Sequence, residues 1–176
     1  MSKPALIVID LQNDYFPAGA FPQWNTEATL ATAEKAIAAA HARDIPVVLV
    51  QHVADVSQGS APFFNPGTQG VKIHPRIAAA APDAPVIVKQ YADSFEHTTL
   101  HDTLQKLAVD ELILCGMMTH NCVTHTALSR QADAYAKVTV LTDASTTVSE
   151  ILHKIALNAL STRVALGSVE QVFAPI

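Results

Sequence analysis

Short apolar, β-branched runs alternate along this chain with Ala-rich stretches whose apolar residues recur at helical spacing. Residues 5–9 (ALIVI) are continuously apolar and stop at Asp10, the pattern of a central strand buried on both faces. Residues 26–43 carry the helical period, and Pro46 then opens a second strand-like run at 47–50. Further strands are predicted at 86–88, at 112–115 (closed by Gly116) and at 138–141, with a sixth at 163–166. Helices fit between them near 97–108, 121–134 and 149–160. This alternation predicts an α/β fold, a three-layer αβα sandwich around a mainly parallel, Rossmann-like sheet of about six strands. In such sheets ligands bind beyond the carboxyl ends of the strands, where the strand order switches. Asp10, Gln51, Lys89 and the segment after Cys115 all lie just past predicted strand ends and are expected on one edge. Residues 53–76 are the longest non-periodic stretch, rich in Pro and Gly, and so long a loop in a compact domain is usually functional. Phe63 and Phe64 within it are candidates for an apolar wall or lid.

At 176 residues the chain is expected to form one domain, 1–176, around one core. With 49% hydrophobic and 15% charged residues it can bury that core and is too apolar for disorder. A net charge of −5 with no basic block argues against nucleic acid or an anionic membrane as partner. No apolar run is long enough to span a bilayer, because Asp10, Pro46 and Asp143 interrupt or bound the best candidates. The start Met-Ser-Lys-Pro-Ala leads straight into a strand-like run, so no signal peptide is expected. Two cysteines, Cys115 and Cys122, make no disulfide framework, which fits a reducing cytoplasm. A sparsely charged, Ala-rich chain of this size is expected to self-associate, as a homo-oligomeric dimer or tetramer.

Chemistry enters with Cys122. It follows the fourth strand and the turn at 116–121, and is expected to open the helix at 121–134. A thiol at a helix N-terminus feels the positive end of the dipole, which favours the thiolate, and the first-turn N–H groups face any oxyanion. A small buried cysteine at a helix start is the packing alternative, and position alone does not separate the two. For Cys115, inside an apolar run, packing is the better reading. Asp10 ends an apolar central strand, where an unpaired carboxylate is costly, and Lys89 ends another. Taken singly, Asp10 reads equally well as a turn-former and Lys89 as a solvated strand end. With Cys122 they make three reactive groups at three strand ends. A carboxylate there can take the thiol proton while an ammonium holds the site near neutral.

The string DLQNDY at 10–15, Lys89 after a third strand and GMMTHNCV at 116–123 together resemble the isochorismatase-like cysteine hydrolases. Residues 62–68 (PFFNPGT), 73–75 (IHP), Ser94, Phe95 and Thr98 are also similar to that family, in order over nearly the whole chain. The resemblance implies an Asp–Lys–Cys triad carried by Asp10, Lys89 and Cys122. In that mechanism Asp10 takes the thiol proton and later passes it to the leaving group. Cys122 attacks a carbonyl to give a thioester that water hydrolyses, and Lys89 orients Asp10 and favours the anion. The resemblance further implies a cis peptide between Met117 and Met118, with the N–H groups of Met118 and Cys122 as an oxyanion hole. Substrate contacts are expected from Gln12, Phe16, Trp24, His52, Phe63, Phe64, Tyr91 and Thr119.

Nicotinamidases, one branch of that family, hold a metal through an Asp-x-His after the second strand. Here Gln51-His52-Val53 stands in that place, so the Asp is missing and neither metal nor cofactor is expected. His52, Asp55 and His74 are the residues that would otherwise supply such a site; His52 reads better as a polar wall and His74 as a structural loop residue. His97 and His101 have a metal-like spacing but read better as two solvated helix residues. His125, three residues past Cys122, keeps a papain-like Cys–His pair open. Isochorismatases proper act on a vinyl ether and need no cysteine, so Cys122 favours an acyl substrate. The expected function is cofactor-free hydrolysis of a C–N bond (amide, lactam or carbamoyl) in a small molecule. The alternatives are isochorismatase-type vinyl-ether hydrolysis and a non-catalytic small-molecule-binding module. Against the module, the first strand runs into Asp-Leu-Gln-Asn-Asp and not into a glycine-rich phosphate cradle.

Overall fold

Six strands form the centre of the computed structural model, which describes residues 2–174. They are β1 (Pro4–Ile9), β2 (Val47–His52), β3 (Val86–Lys89), β4 (Glu111–Met117), β5 (Lys137–Thr146) and β6 (Ala165–Gly167). Their spatial order is β3-β2-β1-β4-β5-β6, and every pairing is parallel. The chain lays β2 and β3 outward on one side of β1, then crosses back to lay β4 on the other. The strand order therefore switches between β1 and β4, where Ile9 lies opposite Gly116. Ligands of such sheets sit at this switch, beyond the carboxyl ends.

Among the described residues six α-helices cover the sheet: α1 (Thr26–His41), α2 (Pro75–Ala80), α3 (Leu100–Lys106), α4 (Thr124–Ala127), α5 (Glu150–Leu160) and α6 (Val169–Val172). The period-two alternation of the strands decides which helix meets which face. Leu6 and Val8 of β1 pack with Leu30, Ala33 and Ile37 of α1, Ile77 of α2 and Val169 of α6. Ala5, Ile7 and Ile9 turn the other way, to Leu100 and Leu104 of α3, Ala127 of α4 and Leu160 of α5. Both faces of β1 are thus sealed, as its unbroken apolar run requires, and the architecture is the three-layer αβα sandwich expected.

Several elements differ from the sequence expectation, each for a physical reason. β4 does not close at Gly116 but passes through it; there φ is +122°, and a Cβ would lie 2.0 Å from the carbonyl oxygen of Ile9. Only glycine lets β4 approach β1 this closely at the switch. β5 runs on past Leu141, because the polar pair Thr142-Asp143 sits in a register shift of the β4–β5 ladder and does not end the strand. The helix expected at 121–134 is broken up. A π-helical turn, Thr119–Val123, leads into the four-residue α4, and a 3-10 turn follows at Ala132–Ala134. Here the Thr124 hydroxyl donates to the Thr119 carbonyl (2.6 Å) and the His125 ring bonds the Asn121 carbonyl (2.8 Å), so side chains compete with the α-helical ladder. The helix expected at 97–108 begins only at Leu100, because His97 takes a left-handed φ of 53°. α2 was hidden at the end of the long loop: Pro75 occupies its first turn and the His74 ring accepts from the Arg76 N–H. No helix among the described residues is long and apolar enough to cross a membrane.

Candidate active site

Three strand ends deliver the reactive groups. Asp10 leaves β1 with a left-handed φ of 53°, while its N–H still continues the ladder to Val50 O at 3.0 Å. Lys89 ends β3 directly opposite His52 of β2. Cys122 is the fourth residue of the π-helical turn after β4. Asp10, Lys89 and Cys122 are 0, 1 and 3% exposed. The Lys89 ammonium approaches Asp10 Oδ2 to 2.9 Å and donates to Cys122 Sγ at 3.2 Å. It also donates to the Tyr91 carbonyl at 3.0 Å and meets His52 Nδ1 at 3.0 Å. A carboxylate oxygen of Asp10, a ring nitrogen of His52 and Cys122 Sγ lie within 4.8 Å of one another. The 2.9 Å approach of Lys89 to Asp10 is a fully buried, charge-assisted ion pair. The Asp10 carboxylate is fully buried, with the Lys89 ammonium and the Cys122 thiol as its hydrogen-bonding neighbours.

Burial governs the protonation of this cluster. It pushes the Cys122 thiol up to about 12, with the Asp10 charge adding to the rise and Lys89 opposing it. Burial thus favours the neutral thiol, and the helix-dipole argument for a thiolate does not apply, because Cys122 opens no long helix. Burial works against the Lys89 charge, yet Asp10 and Cys122 beside it hold its pKa above the usual lysine value. Burial and then the Lys89 charge lower the pKa of His52, favouring its neutral form. The Tyr15 hydroxyl is held strongly protonated by burial, by Asp10 and by Cys122.

The remaining candidates divide into groups at the centre and groups committed to the scaffold. Gln12 is fully buried; its amide donates to His52 O (2.8 Å) and Val71 O (2.6 Å) and accepts from His52 N (2.8 Å), so it clamps the end of β2. Phe64 is 1% exposed, its ring 4.5 Å from that of Tyr15, and its N–H donates to the buried Asp14 carboxylate (2.7 Å). Phe63 stacks on Phe21 at 5.0 Å, so the two phenylalanines form an aromatic plug over Tyr15. Phe16 packs on the His74 ring at 4.4 Å, beside a cavity of about 350 Å³ shared with Asn13 and Gly70. Trp24 and Tyr91 stay exposed at 36 and 47%. Thr119 is fully buried with its hydroxyl 2.9 Å from His153 Nδ1, and His120 meets the Thr147 hydroxyl at 2.6 Å. The bond between Met117 and Met118 is cis, and the Met118 N–H has no backbone acceptor among the described residues.

His52, Asp55 and His74 do not come together: Asp55 is exposed and caps its own turn at Ser57, and His74 caps α2. Where Asp10, His52 and Cys122 do converge, the Lys89 ammonium already occupies the space an ion would need. His125 is exposed and turned to the Asn121 carbonyl, and His101 bonds Tyr135 at 3.1 Å without His97. Tyr15 and His153 were missed as site neighbours. Tyr15 sits inside the DLQNDY string, a signal that was available. His153 lies 31 residues past Cys122 on α5, and nothing local ties it to Thr119.

The Isochorismatase domain model matches residues 4–171. The chain belongs to the isochorismatase family. It is 38% identical over 151 residues to the uncharacterized isochorismatase family protein YddQ of Bacillus subtilis, spanning 86% of this chain and 82% of that one. It is 30% identical over 150 residues to the maleamate amidohydrolase of Pseudomonas putida, spanning 78% of this chain and 70% of that one. The crystal structure of an isochorismatase-like hydrolase from Alkaliphilus metalliredigens matches with a TM-score of 0.85 at 28% identity, covering 98% of both chains. As a member of this family the protein is a hydrolase.

Proposed function

We propose that this hydrolase cleaves the C–N bond of a small amide or carbamoyl compound, with Cys122 as nucleophile, Asp10 as proton carrier and Lys89 as the cation between them. The observation that carries the proposal is one buried ammonium 2.9 Å from Asp10 Oδ2 and 3.2 Å from Cys122 Sγ. A thiol held at about 12 is a poor nucleophile until its proton has somewhere to go. The buried Asp10 carboxylate, beside both Cys122 and Lys89, supplies that destination. As Sγ attacks the carbonyl carbon, its proton moves to Asp10, and Lys89 offsets the negative charge left behind. The unpaired Met118 N–H, with that of Cys122, is suited to the carbonyl oxygen as it becomes an oxyanion. Asp10 then hands the proton to the departing nitrogen as the C–N bond breaks, leaving a thioester on Cys122. Water gives a proton to Asp10 and adds to the thioester, and the acid leaves as sulfur regains its proton. A relative named for maleamate supports an amide substrate.

The test is ammonia release from maleamate and a panel of aliphatic and aromatic carboxamides, with intact-mass analysis for an acyl adduct. Wild-type protein is expected to turn over at least one amide and to carry the adduct on Cys122. A folded Cys122→Ala variant with full turnover would overturn the proposal.

A further inference from the structure

Cys122 is presented by a π-helical turn, a conformation that is rare in proteins and frequent at functional sites. The turn opens on the Met118 carbonyl, which accepts from the Asn121 N–H at 3.0 Å and the Val123 N–H at 3.2 Å. Side chains brace it. The Thr119 carbonyl takes the Thr124 hydroxyl at 2.6 Å, and the Thr119 hydroxyl lies 2.9 Å from His153 Nδ1. Thr119 is fully buried, and among the described residues His153 is the one hydrogen-bond partner of its hydroxyl. A hydroxyl so placed must keep that partner or move to find another.

His153 is itself built into the scaffold. It is 8% exposed, sits on α5 and has the Trp24 ring 6.1 Å from its own. Trp24 is tied to the end of β5 by its N–H to the Thr147 carbonyl (2.8 Å) and by its carbonyl to the Thr146 hydroxyl (2.6 Å). The next residue of the turn, His120, meets the Thr147 hydroxyl at 2.6 Å. The chain after β5 therefore grips two consecutive residues of the turn by their side chains, Thr119 through His153 and His120 through Thr147. Burial favours the neutral imidazole of His153, which can take or give one hydrogen bond at Nδ1. Thr119 stands directly after Met118 and three residues before Cys122, so its placement governs both the Met118 N–H and the sulfur.

We propose that His153 is a positioning residue for the cleavage: through the Thr119 hydroxyl it fixes the turn that sets the Met118 N–H and Cys122 Sγ against the substrate carbonyl. This rests on the nucleophilic reading of Cys122. Without the imidazole nitrogen the buried Thr119 hydroxyl loses its partner, and the turn shifts to satisfy it. A displacement of about 1 Å in such a group is enough to slow a reaction roughly 100-fold.

His153→Phe fills the space without offering a partner, and is expected to lower kcat roughly 10- to 100-fold with KM within about two-fold of wild type. His153→Asn, whose side-chain amide can reach the place of Nδ1, is expected to recover most of that loss, as is Thr119→Ser, which keeps the hydroxyl. Thr119→Val should lose as much as His153→Phe, and the double variant no more than either single one, since both remove the same bond. Iodoacetamide alkylation of Cys122 needs no substrate: it should be several-fold faster in His153→Phe, where the turn is loosened, and close to wild type in His153→Asn. An alkylation rate unchanged in His153→Phe, additive losses in the double variant, or losses that track Tm regardless of whether the new side chain can hydrogen-bond would each refute the role. The alkylation result decides the tether even where no amide is cleaved, so the inference can fail while Cys122 remains the nucleophile. An active Cys122→Ala would instead remove the chemistry the tether serves.

Discussion

Asp10→Asn keeps the shape of the side chain and removes one charge, and the site geometry gives its two effects opposite signs. The Asp10 carboxylate lies within 4.8 Å of Cys122 Sγ, where an effective dielectric of about 20 makes it oppose a thiolate by at least about 3.5 kcal/mol. That is roughly 300-fold in the ionisation equilibrium. Lys89 stays in place at 3.2 Å and still favours the anion. The sulfur of the variant should therefore ionise about two and a half pH units lower than in the wild type, whose thiol is pushed up to about 12. Iodoacetamide alkylation, followed by intact mass from about pH 6 to about pH 10, should be roughly 300-fold faster in the variant at about pH 8. Amide turnover should move the other way, by roughly 10²- to 10⁴-fold, because the proton carrier is gone. Cys115 serves as an internal control: it is fully buried, its own thiol is pushed up to about 12, and it should remain unmodified. Alkylation that is unchanged or slower in Asp10→Asn would refute the electrostatic reasoning. A variant that still turned over amides at the wild-type rate would move the base to another group.

Lys89→Met strands the Asp10 carboxylate in a site with no solvent exposure and should cost about 3–5 kcal/mol of stability in urea titration. Adding Asp10→Asn should recover most of that loss, and a single variant as stable as the wild type would show that the pair is not buried in solution. Burial lowers the folded-state pKa of both His52 and His153 below the usual 6.5. As pH falls, the unfolded chain takes up those protons first, so their stabilisation is complete above about pH 6.5 and drains away as pH falls through the folded values. The wild-type Tm should decline between about pH 7 and about pH 5, and His153→Gln should flatten part of that slope; an identical slope would show that His153 takes up its proton alike in the folded and unfolded chain.

The sheet and the edge that carries the site were legible because both follow from which residues leave water. An unbroken apolar run such as 5–9 has nowhere to go but a central strand, and a reactive residue at its end has nowhere to go but the carboxyl edge. Direction and protonation were not legible, because each depends on groups far along the chain. Gln12 and Thr119 read as pocket residues by their place in the motifs, yet a buried amide and a buried hydroxyl must find partners, and the backbone of His52 and Val71 and the ring of His153 supply them. Phe64 read as a wall and lies buried against the rings of Tyr15 and His52, with its N–H held by Asp14, fifty residues earlier. The state of Cys122 shows how such distant terms decide the outcome. A helix N-terminus favours a thiolate by about 0.3–1 kcal/mol. Moving a thiol from 9.0 to about 12 corresponds to about 4 kcal/mol the other way, with burial under residues that local sequence does not name as its largest cause. Burial therefore wins. A sulfur kept neutral in this way needs a base already in place, which is why the Asp10 carboxylate beside it matters more to this site than any dipole behind Cys122.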